Sequence, residues 1–285
     1  MEAGHGDEVA ADGADLLMRL SAIAAIAAFV LGLALAGCGS SKSSNSEPKT
    51  VSSDVVAAAA AKSMKPGSVE ADFKVSSAGV KGSGSGVFDT GPDRSGQLSM
   101  KVNLRGVPVP LDSIIAGNVL YLRSQAFAQL GLSGDKQWVK LDLGRLARER
   151  GLDLSSLTNT SPTPDSALSY LRGTTKVQEV GSEKVGGVDT THYKAKVDLQ
   201  RAVARSKGSE RESLRRLIRT TGAKKIPIDV WVDGTGYIRR LQYAQPAGGG
   251  RNVRVTMNLH DYGKPVSIKP PPADSVADLE KALGQ

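Results

Sequence analysis

Apolar residues follow two patterns along this chain, one continuous and one alternating. Residues 20–36 form a run without a charge, whereas several segments after residue 66 alternate between apolar and polar residues. A period of two is typical of antiparallel strands that bury one face. We expect four alternating apolar sets to share one face of a sheet. These sets are Val69/Phe73/Val75, Leu98/Met100/Val102/Leu104, Ile228/Val230/Val232 and Val253/Val255/Met257.

Helices and further strands are predicted around these segments. An Ala-rich helix over 55–64 ends at Pro66-Gly67, and a capping box at Ser209 and Glu212 begins another helix that Gly222 closes. Shorter helices are predicted at 164–171 and 275–283. Because strands and helices do not alternate regularly, the pattern predicts an α+β fold with one long antiparallel sheet in one domain. Further strands are predicted at 119–122, 138–143, 176–180, 188–197 and 237–243.

The charge-free run ends directly before Cys38, the only cysteine of the chain. A lone cysteine excludes an intrachain disulfide and a cysteine-based metal site. The run is marginal for a tilted membrane span and long for the apolar part of a signal peptide, and no basic cluster follows it. Residues 35–38, Leu-Ala-Gly-Cys, resemble the lipobox of bacterial lipoproteins. The resemblance implies that the Cys38 thiol takes a diacylglycerol and that the chain is cut after Gly37. The alternative is an uncleaved N-terminal helix that ends at Cys38.

These features divide the chain into three predicted parts. Residues 1–37 are a signal peptide whose true start is Met18, because residues 1–17 are acidic and unlike the start of a signal peptide. Residues 38–50 are a lipidated, Ser-rich tether, in which twelve residues reach about 40 Å when extended. Residues 51–285 are the folded domain. Two or more acyl chains hold a protein stably, so we expect it on the extracytoplasmic face of the cell membrane.

Four stretches of the predicted domain carry a family resemblance. They are W-V-K-L-D-L at 138–143, V-G-G-V-D-T-T-H-Y at 185–193, I-D-V-W-V-D-G at 228–234 and I-R-R-L at 238–241. In this order they resemble the LppX/LprG-type lipoproteins of actinobacteria, within the LolA-like superfamily. The resemblance implies a half-open antiparallel β-barrel wrapped around a few helices, with an apolar cavity that accepts acyl chains of lipids or glycolipids. It also implies carriage of such lipids within the cell envelope, without catalysis. The four alternating apolar sets are then candidates for the lining of the cavity.

Basic residues outnumber acidic ones after residue 37, by 36 to 24. This excess favours an anionic partner. Arg211, Arg215 and Arg219 recur at every fourth position of a predicted helix, opposite an apolar stripe that contains Leu214. These arginines are either a solvated face or a contact with anionic lipid headgroups. Nucleic acid is not an expected partner, because the compartment is extracytoplasmic and an aromatic stacking platform is lacking. The sequence leaves protein partners open.

Patterns of catalytic or metal-binding residues are lacking in the predicted domain. Its two histidines, His192 and His260, lie in strand-like segments without the spacing of metal ligands, and we expect them to be exposed or hydrogen-bonded. The Gly-rich segment 82–86 matches no phosphate-binding or nucleophile motif and is expected to be a flexible strand or hairpin. Three aspartates at predicted strand edges or turns form no convincing carboxylate pair. They are Asp112, Asp142 and Asp233. We therefore expect neither an enzyme nor a bound metal or cofactor.

Two functions fit these observations. The first is a lipid carrier, in which the apolar face of the sheet exceeds what the helices cover. The second is an envelope interaction or sensor lipoprotein of the same fold, in which the Ala-rich helix packs that face completely. Composition does not distinguish the two.

Overall fold

A computed structural model describes residues 48–91, 95–104, 106–149, 163–246 and 252–282. The predicted signal peptide, Cys38 and the first part of the predicted tether lie outside these residues. In the described part of the chain, no helix is long and apolar enough to cross a bilayer.

The described residues form thirteen strands and seven α-helices. The strands are β1 (Lys49–Val51), β2 (Ser68–Ser77), β3 (Val80–Asp89), β4 (Gly96–Leu104), β5 (Val107–Ala116), β6 (Val119–Arg123), β7 (Trp138–Asp142), β8 (Thr174–Val185), β9 (Val188–Asp198), β10 (Lys225–Asp233), β11 (Ile238–Pro246), β12 (Asn252–His260) and β13 (Val276–Asp278). The helices are α1 (Asp54–Ser63), α2 (Gln125–Gln129), α3 (Leu143–Glu149), α4 (Pro164–Tyr170), α5 (Leu199–Arg205), α6 (Gly208–Thr221) and α7 (Leu279–Ala282).

All thirteen strands belong to one unclosed sheet. Their order is β1-β8-β9-β10-β11-β12-β2-β3-β4-β5-β6-β7-β13, so β1 and β13 are its edges in the described part of the chain. Neighbouring strands are antiparallel, with the exception of β7 and β13, which are parallel. The α+β fold with one long, half-open antiparallel sheet is confirmed.

The register of the sheet brings the four predicted apolar sets to one face. One row of paired residues runs from Met100 on β4 through Gly84 and Phe73 to Met257 on β12, and it continues to Val230 on β10. Residues paired across neighbouring strands lie on the same face, and every second residue along a strand returns to it. We call this the inner face and the opposite one the outer face.

Helices cover the inner face in two separate places. The main core packs α1, α4, α5 and α6 against β2 and β8 to β12, with Val56, Leu168, Leu199 and Leu214 buried from the helical side. A second cluster packs α2 and α7 against β5, β6 and β7. Its buried members are Leu111, Leu122, Phe127, Leu132, Val139 and Leu279.

The start of α6 differs from the prediction, whereas its end agrees. Gly222 closes the helix in the left-handed conformation, with φ of 68° and its N–H bonded to the carbonyl of Ile218. The prediction of a capping box at Ser209 and Glu212 was wrong, because Lys207 is the N-cap and Ser209 lies within the first turn. The backbone N–H of Arg211 already reaches the Lys207 carbonyl at 3.5 Å, so the helix begins before Ser209.

The C-terminal segment forms a strand where the sequence predicted a helix over 275–283. A short 3₁₀ turn at Ala273–Ser275 leads into β13, and α7 is a single turn. The backbone of β7 would otherwise be an unpaired edge, and β13 supplies its hydrogen-bonding partner. Leu279, only 5% exposed, then packs into the second cluster. Pairing with a sheet edge thus outweighs local helix propensity here.

Candidate functional site

Most of the predicted cavity residues lie in the packed core of this structure. None of the following is more than 7% exposed: Val69, Phe73, Val75, Val102, Ile228, Val230, Val232, Val253, Val255 and Met257. Apart from Val102, they belong to the main core and are covered by its helices. An acyl chain could reach the residues of the main core only after its helices moved.

A different part of the inner face is open. On β3 to β5, between the two helix-covered clusters, Leu98 and Met100 are only partly buried, as are Val80 and Val109, and Val107 is 62% exposed. We call these five residues the apolar strip. The side chain of the remaining predicted residue, Leu104, lies outside what the structure describes.

Glycines on β3 shape the sheet beneath the apolar strip. A Cβ atom at Gly84 would overlap the carbonyl oxygen of Ser99 and lie 2.8 Å from the Cα of Met100. Strands β3 and β4 can therefore approach closely on the inner face only because residue 84 has no side chain. The segment 82–86 is thus a regular strand, and its glycines permit a close approach of two backbones.

A polar cluster fixes the β10–β11 hairpin near the end of α1. The Asp233 carboxylate accepts hydrogen bonds from the N–H groups of Thr235 and Tyr237, at 2.9 and 3.0 Å, and from Nε of Arg239 at 2.6 Å. Burial alone would raise the pKa of Asp233, but hydrogen bonds from Thr235 and Arg239 outweigh it and lower the pKa. The Lys62 ammonium group of α1 donates to the carbonyl of Thr235 in the same turn.

The two histidines have hydrogen-bonding partners. His192 lies 2.8 Å from the Asp229 carboxylate and stacks on Trp231, with 4.1 Å between the ring centroids. His260 lies 3.0 Å from Asp261. These contacts agree with the interpretation of both as hydrogen-bonded strand residues.

One cluster of possible metal ligands was not seen in the sequence. Potential ligand atoms of Glu70, His260 and Asp261 lie within 4.8 Å of one another. The register of β2 and β12 pairs Glu70 with His260, a long-range proximity that sequence spacing does not reveal. The Lys264 ammonium group lies 2.9 Å from Asp261 and already supplies a positive charge. Hydrogen bonds from Lys264 and His260 lower the pKa of Asp261.

The predicted membrane-contact arginines lie on α6, but two of them are already bound. Nε of Arg211 donates to the carbonyl of Ser206 at 2.7 Å, and Arg215 forms an ion pair of 2.7 Å with Glu212. Arg219 is exposed and has no ionic partner among the described residues. Membrane contact through this helix stays a prediction.

The three aspartates predicted at strand edges or turns contact different partners. Asp112 pairs with Arg123 at 2.9 Å, Asp142 accepts the backbone N–H of Arg145, and Asp233 holds the hairpin turn. Each carboxylate therefore has a structural partner.

Comparisons with known proteins give one curated relative and several solved structures, whereas no family model matches. The relative is an uncharacterized 31.2 kDa protein in the rplA-rplJ intergenic region of Streptomyces griseus, 26% identical over 177 residues. The match covers 58% of this chain and 57% of the relative, so the chain spans little more than half of that protein's length.

The similar structures include two mycobacterial proteins. LprF from Mycobacterium bovis is 14% identical, with a TM-score of 0.46, and the match covers 77% of this chain and 96% of LprF. The lipoprotein LppX from Mycobacterium tuberculosis is 16% identical, with a TM-score of 0.46, and the match covers 76% of this chain and 100% of LppX. MucB in complex with MucA is a more distant match, with 11% identity and a TM-score of 0.33 over 78% of this chain and 58% of MucB. The chain is similar to lipoproteins of the LppX/LprG type, the family that its sequence resembles.

Proposed function

We propose that this chain is an extracytoplasmic lipoprotein, anchored through acylated Cys38, that binds acyl chains of a lipid or glycolipid on the inner face of its sheet and carries them within the cell envelope. The observation that supports this proposal is the apolar strip, which stays open between two helix-covered clusters of an unclosed sheet. The similarity to LppX, a lipoprotein by name, agrees with the anchor.

The energetics of acyl binding favour the apolar strip as the first contact. Each methylene that leaves water contributes about 0.8 kcal/mol, so a dozen methylenes outweigh a sizeable ordering cost. Leu98 and Met100 can accept such a chain without displacing a helix. Extension onto Val230 or Met257 requires that a helix of the main core moves, because both side chains are 0% exposed.

A second function is favoured by that same burial. If the helices stay in place, the protein is an envelope interaction or sensor lipoprotein with a packed core and no lipid cargo. The complete burial of Val230 and Met257 supports this alternative.

A charge placed on the apolar strip distinguishes the two functions. Met100→Asp should weaken binding of a fluorescent fatty acid by at least about tenfold, because burying an unpaired carboxylate costs several kcal/mol. Gln97→Asp is the matched control, since Gln97 is an exposed residue of the same strand that faces the opposite side. Circular dichroism checks the fold of both variants, and native mass spectrometry of the wild type looks for co-purified lipid.

Two results would count against lipid carriage. One is equal probe binding by wild type and folded Met100→Asp. The other is a wild type that neither binds the probe nor co-purifies with lipid, which would leave the packed-core interaction protein.

A further inference from the structure

A concave site lies on the outer face, away from the apolar strip. It is a pocket of about 530 Å³ over β12, β2, β3 and β4, within the usual size range of small-molecule sites. Four basic residues contribute to its lining: Lys74, Lys81, Lys101 and Arg254. We call it the outer basic pocket.

The register of the sheet explains why these four cations meet. Each comes from a different strand, and the four strands are consecutive neighbours. Lys74 and Lys101 flank Ser83 in one row of paired residues, while Arg254 and Lys81 flank Ser76 in the next row. Strands in a sheet are about 4.8 Å apart, so two lysines on either side of a serine lie about 10 Å apart at the backbone. Their flexible side chains can converge on one small anion.

The charge of the pocket is uncompensated. None of its lining residues is acidic, and none of the four cations has an acidic partner within 4.0 Å among the described residues. Neutral hydrogen-bonding groups lie beside the cations, on Ser83, Asn103 and Thr256 among others. Like charges held on neighbouring strands repel each other, so an anion that binds between them relieves this repulsion.

Acidic residues of the outer face on β2 and β5 lie beyond the pocket. On β2 the next residue of this face is Asp72, which lies 3.5 Å from His260. On β5, Asp112 follows Pro110 on this face and pairs with Arg123. Other exposed lysines of this face, such as Lys194 and Lys196 on β9, do not line the pocket.

We propose that the outer basic pocket binds a phosphate group, either free phosphate or the phosphodiester of a lipid headgroup. Phosphate oxygens accept several hydrogen bonds, and those from ammonium and guanidinium groups are the strong, charge-assisted kind. The serine hydroxyls and the Asn103 amide complete a donor set around such a group. Its four cations lie on the face opposite the apolar strip, so this site does not depend on acyl binding by the inner face.

Calorimetric titration of the full chain, purified in a non-ionic detergent, tests the proposal with two probes. One is inorganic phosphate, and the other is glycerophosphoglycerol, a water-soluble phosphodiester headgroup without acyl chains. Binding should weaken as salt rises from 20 to 200 mM, roughly the range in which surface charges become screened. Tighter binding of inorganic phosphate assigns the pocket to free phosphate, whereas tighter binding of glycerophosphoglycerol assigns it to a headgroup.

Matched double variants separate a site from general positive charge. Lys81→Gln/Lys101→Gln removes two pocket cations and should weaken binding of the better probe by about tenfold or more, the loss expected for charge-assisted hydrogen bonds. Lys194→Gln/Lys196→Gln removes the same charge from exposed lysines on β9 that do not line the pocket, and it should bind like wild type. All four lysines are exposed, so both variants should fold. Equal weakening by the two variants, or no binding of either probe by wild type, would overturn the proposal.

Discussion

Asp233 shows how one buried carboxylate can set the geometry of a hairpin. It is 7% exposed and accepts hydrogen bonds from Thr235, Tyr237 and Arg239. Asp233→Asn keeps the shape of the side chain but removes its charge and one acceptor oxygen. We expect this change to lower the free energy of unfolding at pH 7 by about 1–3 kcal/mol, the usual cost of breaking hydrogen bonds to a charged group. Urea denaturation measures the loss.

The pH dependence of this effect follows from the lowered pKa of Asp233. A carboxyl group with a lower pKa in the folded state stabilises the fold above its unfolded pKa, about 3.9 for aspartate. The stabilisation is lost as the pH falls through the folded pKa, so wild type and Asp233→Asn should converge in acid. Asp189→Asn is the control, because the Asp189 side chain is 85% exposed and its surface ion pair contributes less than about 1 kcal/mol. A similar loss in both variants would contradict this role of Asp233.

At the residue scale, the sequence predicted the faces of side chains better than their environment. Alternation assigned Phe73, Met100, Val230 and Val255 to one face, and the register confirms it. Whether each residue meets a helix or solvent depends on helices from distant parts of the chain. Val230 is therefore buried and Met100 only partly so, although their local patterns are alike.

At the scale of elements, β3 depends on a residue without a side chain. Gly84→Ala would bring a Cβ atom into the backbone of β4, and the strands would have to separate. We expect a loss of about 1–3 kcal/mol, as for overpacked cores, visible as a lower Tm in thermal unfolding. Gly234→Ala is the matched control, because a Cβ there meets no atom within 4 Å. Its effect should stay within about 0.5 kcal/mol. Equal Tm values for wild type and Gly84→Ala would show that β3 and β4 adapt freely.

The elements missed by the sequence are those without an alternating pattern. Glycines and serines in β3 hide its apolar face, and Pro108 and Pro110 obscure β5. The short helices α2, α3 and α5 have no more than seven residues each, too few for a helical period to stand out. The strand β13 exists through its pairing with β7, which lies more than 130 residues earlier in the chain. Local pattern cannot contain such information.

At the scale of the molecule, the two faces of the sheet suit different chemistry. The inner face is apolar, closed by helices on two sides and open along the apolar strip. The outer face carries the outer basic pocket, and three of its four cations, Lys74, Lys101 and Arg254, come from the polar positions of the same alternating segments. Alternation thus specifies both faces at once, since Phe73 and Val75 point inward and Lys74 between them points outward. The sequence revealed the apolar half of this arrangement, but the convergence of the four cations needed the register.

We expect the attachment of the whole molecule to a membrane to depend on Cys38. The predicted tether of 38–50 overlaps the folded domain, because Lys49 and Thr50 already pair with β8 in strand β1. Ten residues between Cys38 and β1 reach about 35 Å when extended, so the folded domain would stay close to its bilayer.

We expect the native protein to begin at Cys38, with Met18 to Gly37 removed and acyl chains on the cysteine. Cys38→Ala should abolish acylation and leave the chain as an uncut precursor or outside the membrane fraction, whereas Ser41→Ala, a change within the same tether, should behave like wild type. Intact mass spectrometry of each protein, after separation of membrane and soluble fractions, measures both outcomes. An unmodified Cys38, or a mature protein that retains residues 18–37, would rule out the acyl anchor and favour the uncleaved N-terminal helix.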